Sequence, residues 1–156
     1  MKAASIKQIK EALESSSHAD VVQLCLKLLK YKKENKELAS YHLFYADSEH
    51  EYIADVKDLL TLMFTEVNTK NAYFAKKNIR KIVRTCSKYI KYSTEKTTGI
   101  ELLIFVCKQI KTLPESLYKN IQISNIHSAQ VKKIKVLTAA IHEDLQYDFE
   151  QQIKSL

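Results

Sequence analysis

Six cations recur at three- and four-residue steps along one stretch of the chain: Lys77, Arg80, Lys81, Arg84, Lys88 and Lys91. That spacing gathers them on one helix face, where like charges repel and an anion opposite would stabilise them. Tyr73, Tyr89 and Tyr92 are interleaved with the stripe. A positive groove with aromatic platforms is how single-stranded nucleic acid is held without reading of sequence. Residues 72–96 carry eight basic residues and one acidic, a local net charge of +7 that equals the net charge of the whole chain. Arg80 and Arg84 are the only arginines. Lysine is a point charge rather than a bidentate phosphate fork, so the pattern favours non-specific contact. No helix-turn-helix signature, RNP motif or GXXG loop accompanies it.

A plainer expectation stands beside this one. The preceding segment carries Glu51, Asp55, Asp58 and Glu66, and the connection Asn68-Thr69-Lys70-Asn71 is short. The two segments should pack antiparallel, so the acidic face would neutralise part of the basic one. The terminal stretch His142 to Glu150 is also acidic and could dock on the stripe of the same chain or of a second copy.

Other chemistries find weaker support. Glu51, Asp55 and Asp58 share a face beside His50, a pattern that could hold a divalent cation with waters, but no Glu-x-x-His motif occurs. His18, His42, His50, His127 and His142 are scattered. Cys25, Cys86 and Cys107 lie among apolar residues with no CxxC spacing, which predicts buried, reduced, inert thiols. One glycine, Gly99, and one proline, Pro114, stand where average usage would give about 11 and about 8. The phosphate-cradling loops GxGxxG and GxxxxGK[ST], the GxSxG elbow and the EF-hand loop are thereby excluded. No catalytic residue, cofactor site or metal site is expected, and the chain is read as not an enzyme.

The elements that would position the stripe are helical throughout. Seven segments are predicted: about 6–14, 19–33, 36–45, 49–67, 72–92, 99–111 and 123–152. Ser5, Ser48 and Thr98, each followed three residues later by Gln8, Glu51 and Glu101, predict capping boxes. Asn35 and Asn68 are expected to take the left-handed C-terminal position that glycine usually fills. Ile53, Val56, Leu60, Met63 and Val67 form one apolar stripe, and Ala75, Ile79, Ile82, Cys86 and Ile90 another. A third runs Ile134, Leu137, Ile141, Leu145 and Phe149. Segment 99–111 is apolar nearly all round, and segment 19–33 has seven apolar residues among Val21 to Leu29, interrupted only by Gln23 and Lys27, so both are expected to be inner helices. The fold class is all-α: a single domain over residues 1–156, a bundle or short stack of antiparallel hairpins.

Leu26 to Tyr45, Ala75 to Tyr92 and Val131 to Phe149 together resemble an uncharacterised family of small, all-helical, soluble bacterial proteins of unknown function. The resemblance implies an all-α cytoplasmic protein and assigns no residue a role. The longest apolar run, Leu102 to Cys107, is too short to cross a bilayer, and the first residues have no signal-peptide core. Two functions are expected from all this. The first is a non-enzymatic module that binds a protein partner or itself. The second is an RNA- or polyanion-binding domain that uses the basic face of residues 77–91.

Overall fold

The structure, a computed structural model, describes residues 2–156. Its elements are α1 (Ile6–Glu14), α2 (His18–Tyr31), α3 (Lys33–Phe44), α4 (Glu49–Thr65), α5 (Ala72–Ile90), α6 (Lys96–Lys111), α7 (Glu115–Tyr118), α8 (Ile121–Thr138) and α9 (Glu143–Lys154). No strand occurs among the described residues, and the fold is all-α as expected. Among the same residues no helix is long and apolar enough to cross a membrane. The chain divides into two compact units, Met1–Leu43 and Phe44–Leu156.

In the first unit, α1 begins on the expected capping box. The Ser5 hydroxyl accepts from Gln8 N at 3.3 Å, and the Gln8 side chain accepts from Ser5 N at 3.0 Å. The Ser17 hydroxyl accepts from Asp20 N and starts α2. Lys32, with extended backbone, ends α2. There the Asn35 amide donates to Leu28 O at 2.7 Å. Asn35 therefore satisfies an orphan carbonyl through its side chain, not by a left-handed backbone. No described residue has positive φ at all, which corrects the expectation for both asparagines. Asn68 instead accepts from Lys70 N and Asn71 N in an Asx turn.

The expectation for α2 is overturned. No residue of α2 is buried, and Val22, Leu24, Leu26 and Leu28 all stand exposed. Only Tyr41 is buried among the described residues of this unit. A largely apolar helix is an inner helix only if neighbours surround it, and here α1 and α3 leave α2 exposed. Cys25 is exposed for the same reason.

In the second unit the inner helix is α6, as its sequence predicts. Thr98, Gly99, Ile100, Leu102, Leu103, Ile104, Val106, Cys107 and Ile110 are all buried. Helices α4, α5, α8 and α9 pack against it. The stripes of α4 and α5 point inward: Ile53, Val56, Leu60 and Val67 from one, Ala75, Ile79, Ile82 and Cys86 from the other. Met63 and Ile90 are half-buried at their edges. The Tyr52 hydroxyl, near the start of α4, donates to Tyr89 O near the end of α5 at 2.7 Å. The two helices are thus antiparallel.

Three details depart from the sequence reading. Ser48 makes no side-chain cap. Thr98 lies one turn inside α6 and donates its hydroxyl to the Glu49 carboxylate, which also accepts from Ser93. The last predicted helix is two helices: α8 ends at Thr138, and His142 caps α9 by accepting from Asp144 N at 3.4 Å. Leu145, on the predicted stripe, consequently stays exposed, while Phe149 is buried. Gly99 serves packing and not a turn. A Cβ there would lie 3.3 Å from both Ile90 Cγ2 and Leu137 Cδ1.

Burial pushes the Cys86 and Cys107 thiols up to about 12. Only the thiolate reacts with alkylating agents. Native protein at pH 8 should therefore take up one equivalent of iodoacetamide, at Cys25, and unfolded protein three, counted by mass spectrometry. Two fast equivalents in the native state would contradict this packing.

Candidate anion-binding groove

The helices α5 and α8 lie side by side on the surface of the second unit. The Lys76 ammonium donates to Gln122 Oε1 at 2.5 Å. Toward their far ends, Ile90 of α5 and Leu137 of α8 both abut Gly99, where a Cβ would lie 3.3 Å from each. Residue 76 is therefore level with 122 and 90 with about 137, so the two helices run parallel. Between them runs a groove of about 860 Å³.

One wall comes from α5. Tyr73, Lys76, Lys77, Arg80, Val83 and Arg84 line it. Burying Ala75, Ile79, Ile82 and Cys86 against the core leaves the opposite face of α5 to the cations. The Asn71 side chain fixes the start of the helix by accepting from Tyr73 N and Phe74 N. From Tyr73 to Arg84 the wall is about 17 Å long at 1.5 Å per residue. The other wall comes from α8 and is uncharged: Gln122, Asn125, Ile126, Ala129 and Gln130.

No carboxylate lines the groove. Neither helix has one anywhere: α5 holds six basic residues and α8 three, with no Asp or Glu in either. Among the described residues, Lys77, Arg80, Lys81, Arg84 and Lys91 form no ion pair. For these five cations the expected neutralisation by α4 is not made through ion pairs. Helix α4 packs on α5, and two of its acids have partners outside α5. Asp55 accepts the Tyr45 hydroxyl at 2.6 Å, which raises that phenol above its ordinary value, mainly through the hydrogen bond itself. Glu51 lies 4.0 Å from His50, and Asp58 and Glu66 are exposed. Nor does the acidic helix α9 cover the stripe in the same chain, since it packs on α6 and α8. The cations of the groove, one turn apart on α5 and with no carboxylate in the lining, leave a field that favours a bound anion.

The structure sorts the sequence candidates into two groups. Lys77, Arg80 and Arg84 line the groove. Lys81 and Lys91 are exposed and lie outside it, and Lys88 is outside with its ammonium 4.7 Å from the Tyr89 ring centroid. Of the three tyrosines, Tyr73 lines the groove and is exposed, with the Lys76 ammonium 5.3 Å from its ring centroid. Tyr89 and Tyr92 pack edge to face at 5.7 Å, and Tyr92 is buried. Both are engaged within the fold. Sequence reading missed Lys76 and the whole α8 wall. The one signal for that wall was its lack of carboxylates.

Elsewhere, no group of three or more His, Cys, Asp or Glu is placed to hold a metal among the described residues. His127 is buried edge to face against Tyr118, and burial, helped by Lys111, lowers its pKa from the ordinary value. Comparison with known proteins adds no assignment: no family model matches the chain, and neither a curated protein nor a solved structure does.

Proposed function

We propose that the protein is a non-enzymatic binder of single-stranded nucleic acid, which it holds by the phosphates in the groove between α5 and α8. The observation that supports this most is a groove of about 860 Å³ lined by Lys76, Lys77, Arg80 and Arg84 with no carboxylate. Arg80 and Arg84 stand one turn apart, about 6 Å along the helix, and bracket a run of backbone. Tyr73 offers an exposed ring at one end for a base to stack on. The uncharged wall of α8 lets the strand approach without repulsion. Three free cysteines fit a reducing, cytoplasmic setting.

Salt dependence tests this reading. Each phosphate contact with a single strand contributes about −0.7 to the slope of log K against log salt. Four contacts give about −2.8, so affinity for a labelled uridine oligomer should fall about fiftyfold between 50 and 200 mM salt. Fluorescence anisotropy reads it, and a slope flatter than about −1 contradicts the reading.

A second reading, a module that binds a protein or a second copy of itself, is favoured by the exposed Val22, Leu24, Leu26 and Leu28 of α2. Cys25 on the same helix is its own reporter. If copies pair through α2, alkylation of Cys25 should slow as protein concentration rises. A rate independent of concentration counts against self-association.

A further inference from the structure

The Gln130 side chain lines the groove but is only 4% exposed. Its amide nitrogen donates to Ile126 O, one turn back on its own helix, at 3.3 Å. Its Oε1 is buried with no hydrogen-bond partner. An orphaned buried acceptor destabilises a fold, and a ligand that supplies a donor removes that penalty. The position of this acceptor narrows what the donor can be. From the Lys76–Gln122 bond, eight residues along α5 reach Arg84 and eight residues along α8 reach Gln130. With the helices parallel, the acceptor is level with the second arginine of the groove.

We infer that Gln130 recognises the ribose 2′-hydroxyl of single-stranded RNA, one nucleotide's sugar from the phosphate held by Arg84. This rests on the nucleic-acid reading above and names the strand it prefers. A phosphodiester carries no donor, and neither does a deoxyribose within a strand. The 2′-hydroxyl is a donor small enough to reach an acceptor that the groove barely exposes, and it is the group by which proteins tell RNA from DNA. A small turn about the last torsion of the Gln130 side chain, a broad and soft one, aims the acceptor at the incoming hydroxyl while the amide nitrogen keeps its bond to Ile126 O.

The test compares oligomers of uridine, 2′-deoxyuridine and 2′-O-methyluridine, equal in length, at one salt concentration. The uridine oligomer should bind the native protein about two- to twelvefold more tightly than either other, the fold-change of one net hydrogen bond. Gln130→Met keeps the length of the side chain and removes the acceptor. It should erase the difference while leaving the salt slope unchanged, and its melting temperature should match or exceed the native one. Gln130→Leu gives the same reading if the first variant folds poorly. Equal native affinities with a steep salt slope overturn the role of Gln130 and leave the groove standing. Preference for RNA that survives in both variants also overturns it. No binding of any oligomer overturns both.

Discussion

Arg80→Glu/Arg84→Glu is expected to weaken oligonucleotide binding at least about 25-fold at 0.1 M salt. The figure follows from losing two of four phosphate contacts, which takes the salt slope from about −2.8 to about −1.4. Reversal of sign adds repulsion to that loss. Stability should move the other way. Both arginines are exposed and remote from the core face of α5, and glutamate there gains Lys76, Lys77, Lys81 and Lys88 as helical neighbours. Each new pair at that spacing adds about 0.2–0.5 kcal/mol. Thermal melting should therefore show an unchanged or slightly raised midpoint. Loss of binding with a raised midpoint separates a binding role from a structural one. Lys10→Glu/Lys30→Glu changes the net charge equally on α1 and α2, outside the groove, and should cost far less affinity. Equal losses from the two double variants would mean that overall charge, and not the groove, does the holding.

Leu102→Ala should cost about 2–5 kcal/mol of stability. Leu102 is completely buried in α6, the helix on which α4, α5, α8 and α9 converge. Truncation forfeits the transfer energy of the removed atoms and leaves a cavity that four neighbours cannot all close. Leu62→Ala on α4 is the contrast. Leu62 is 61% exposed, and its loss should fall within about 0.5 kcal/mol. Urea unfolding measures both. A small loss at Leu102 would mean that α6 is not the inner helix.

The helical periods carried the architecture of the second unit well, because each amphipathic stripe had one core to face. The stripes on α4 and α5 are buried almost residue for residue, and α6 is central as its all-round apolarity implied. Helix α2 differs: it is largely apolar and yet exposed. Apolarity on all sides says that a helix prefers neighbours and not that it has them, and the composition of α2 alone could not reveal which. The break between α8 and α9 was missed because it involves neither glycine nor proline; His142 makes the cap.

The candidate site was legible on one side only. The cation stripe on α5 is visible in sequence because its partners are close along the chain. Its opposite wall is far along the chain, with Lys76 and the Gln122 it meets 46 residues apart, and has no charge to mark it. Whether the acids of α4 would quench the stripe depended on the rotation of one helix about its own axis, which local spacing does not set. Asp55 is held by Tyr45, and no acid of α4 lines the groove. Gln130 was invisible for a different reason. Its importance comes from an acceptor left unpaired on folding, a property of packing alone.

The most direct test of the account is a map of where a single strand lands. Backbone amide chemical shifts, followed while a uridine oligomer is added to the full chain at low salt, provide it. The account predicts saturable shifts concentrated in residues 73–84 of α5 and 122–130 of α8, with α2 and α9 unmoved. Shifts concentrated in residues 18–31, or spread evenly over every surface lysine, would contradict it.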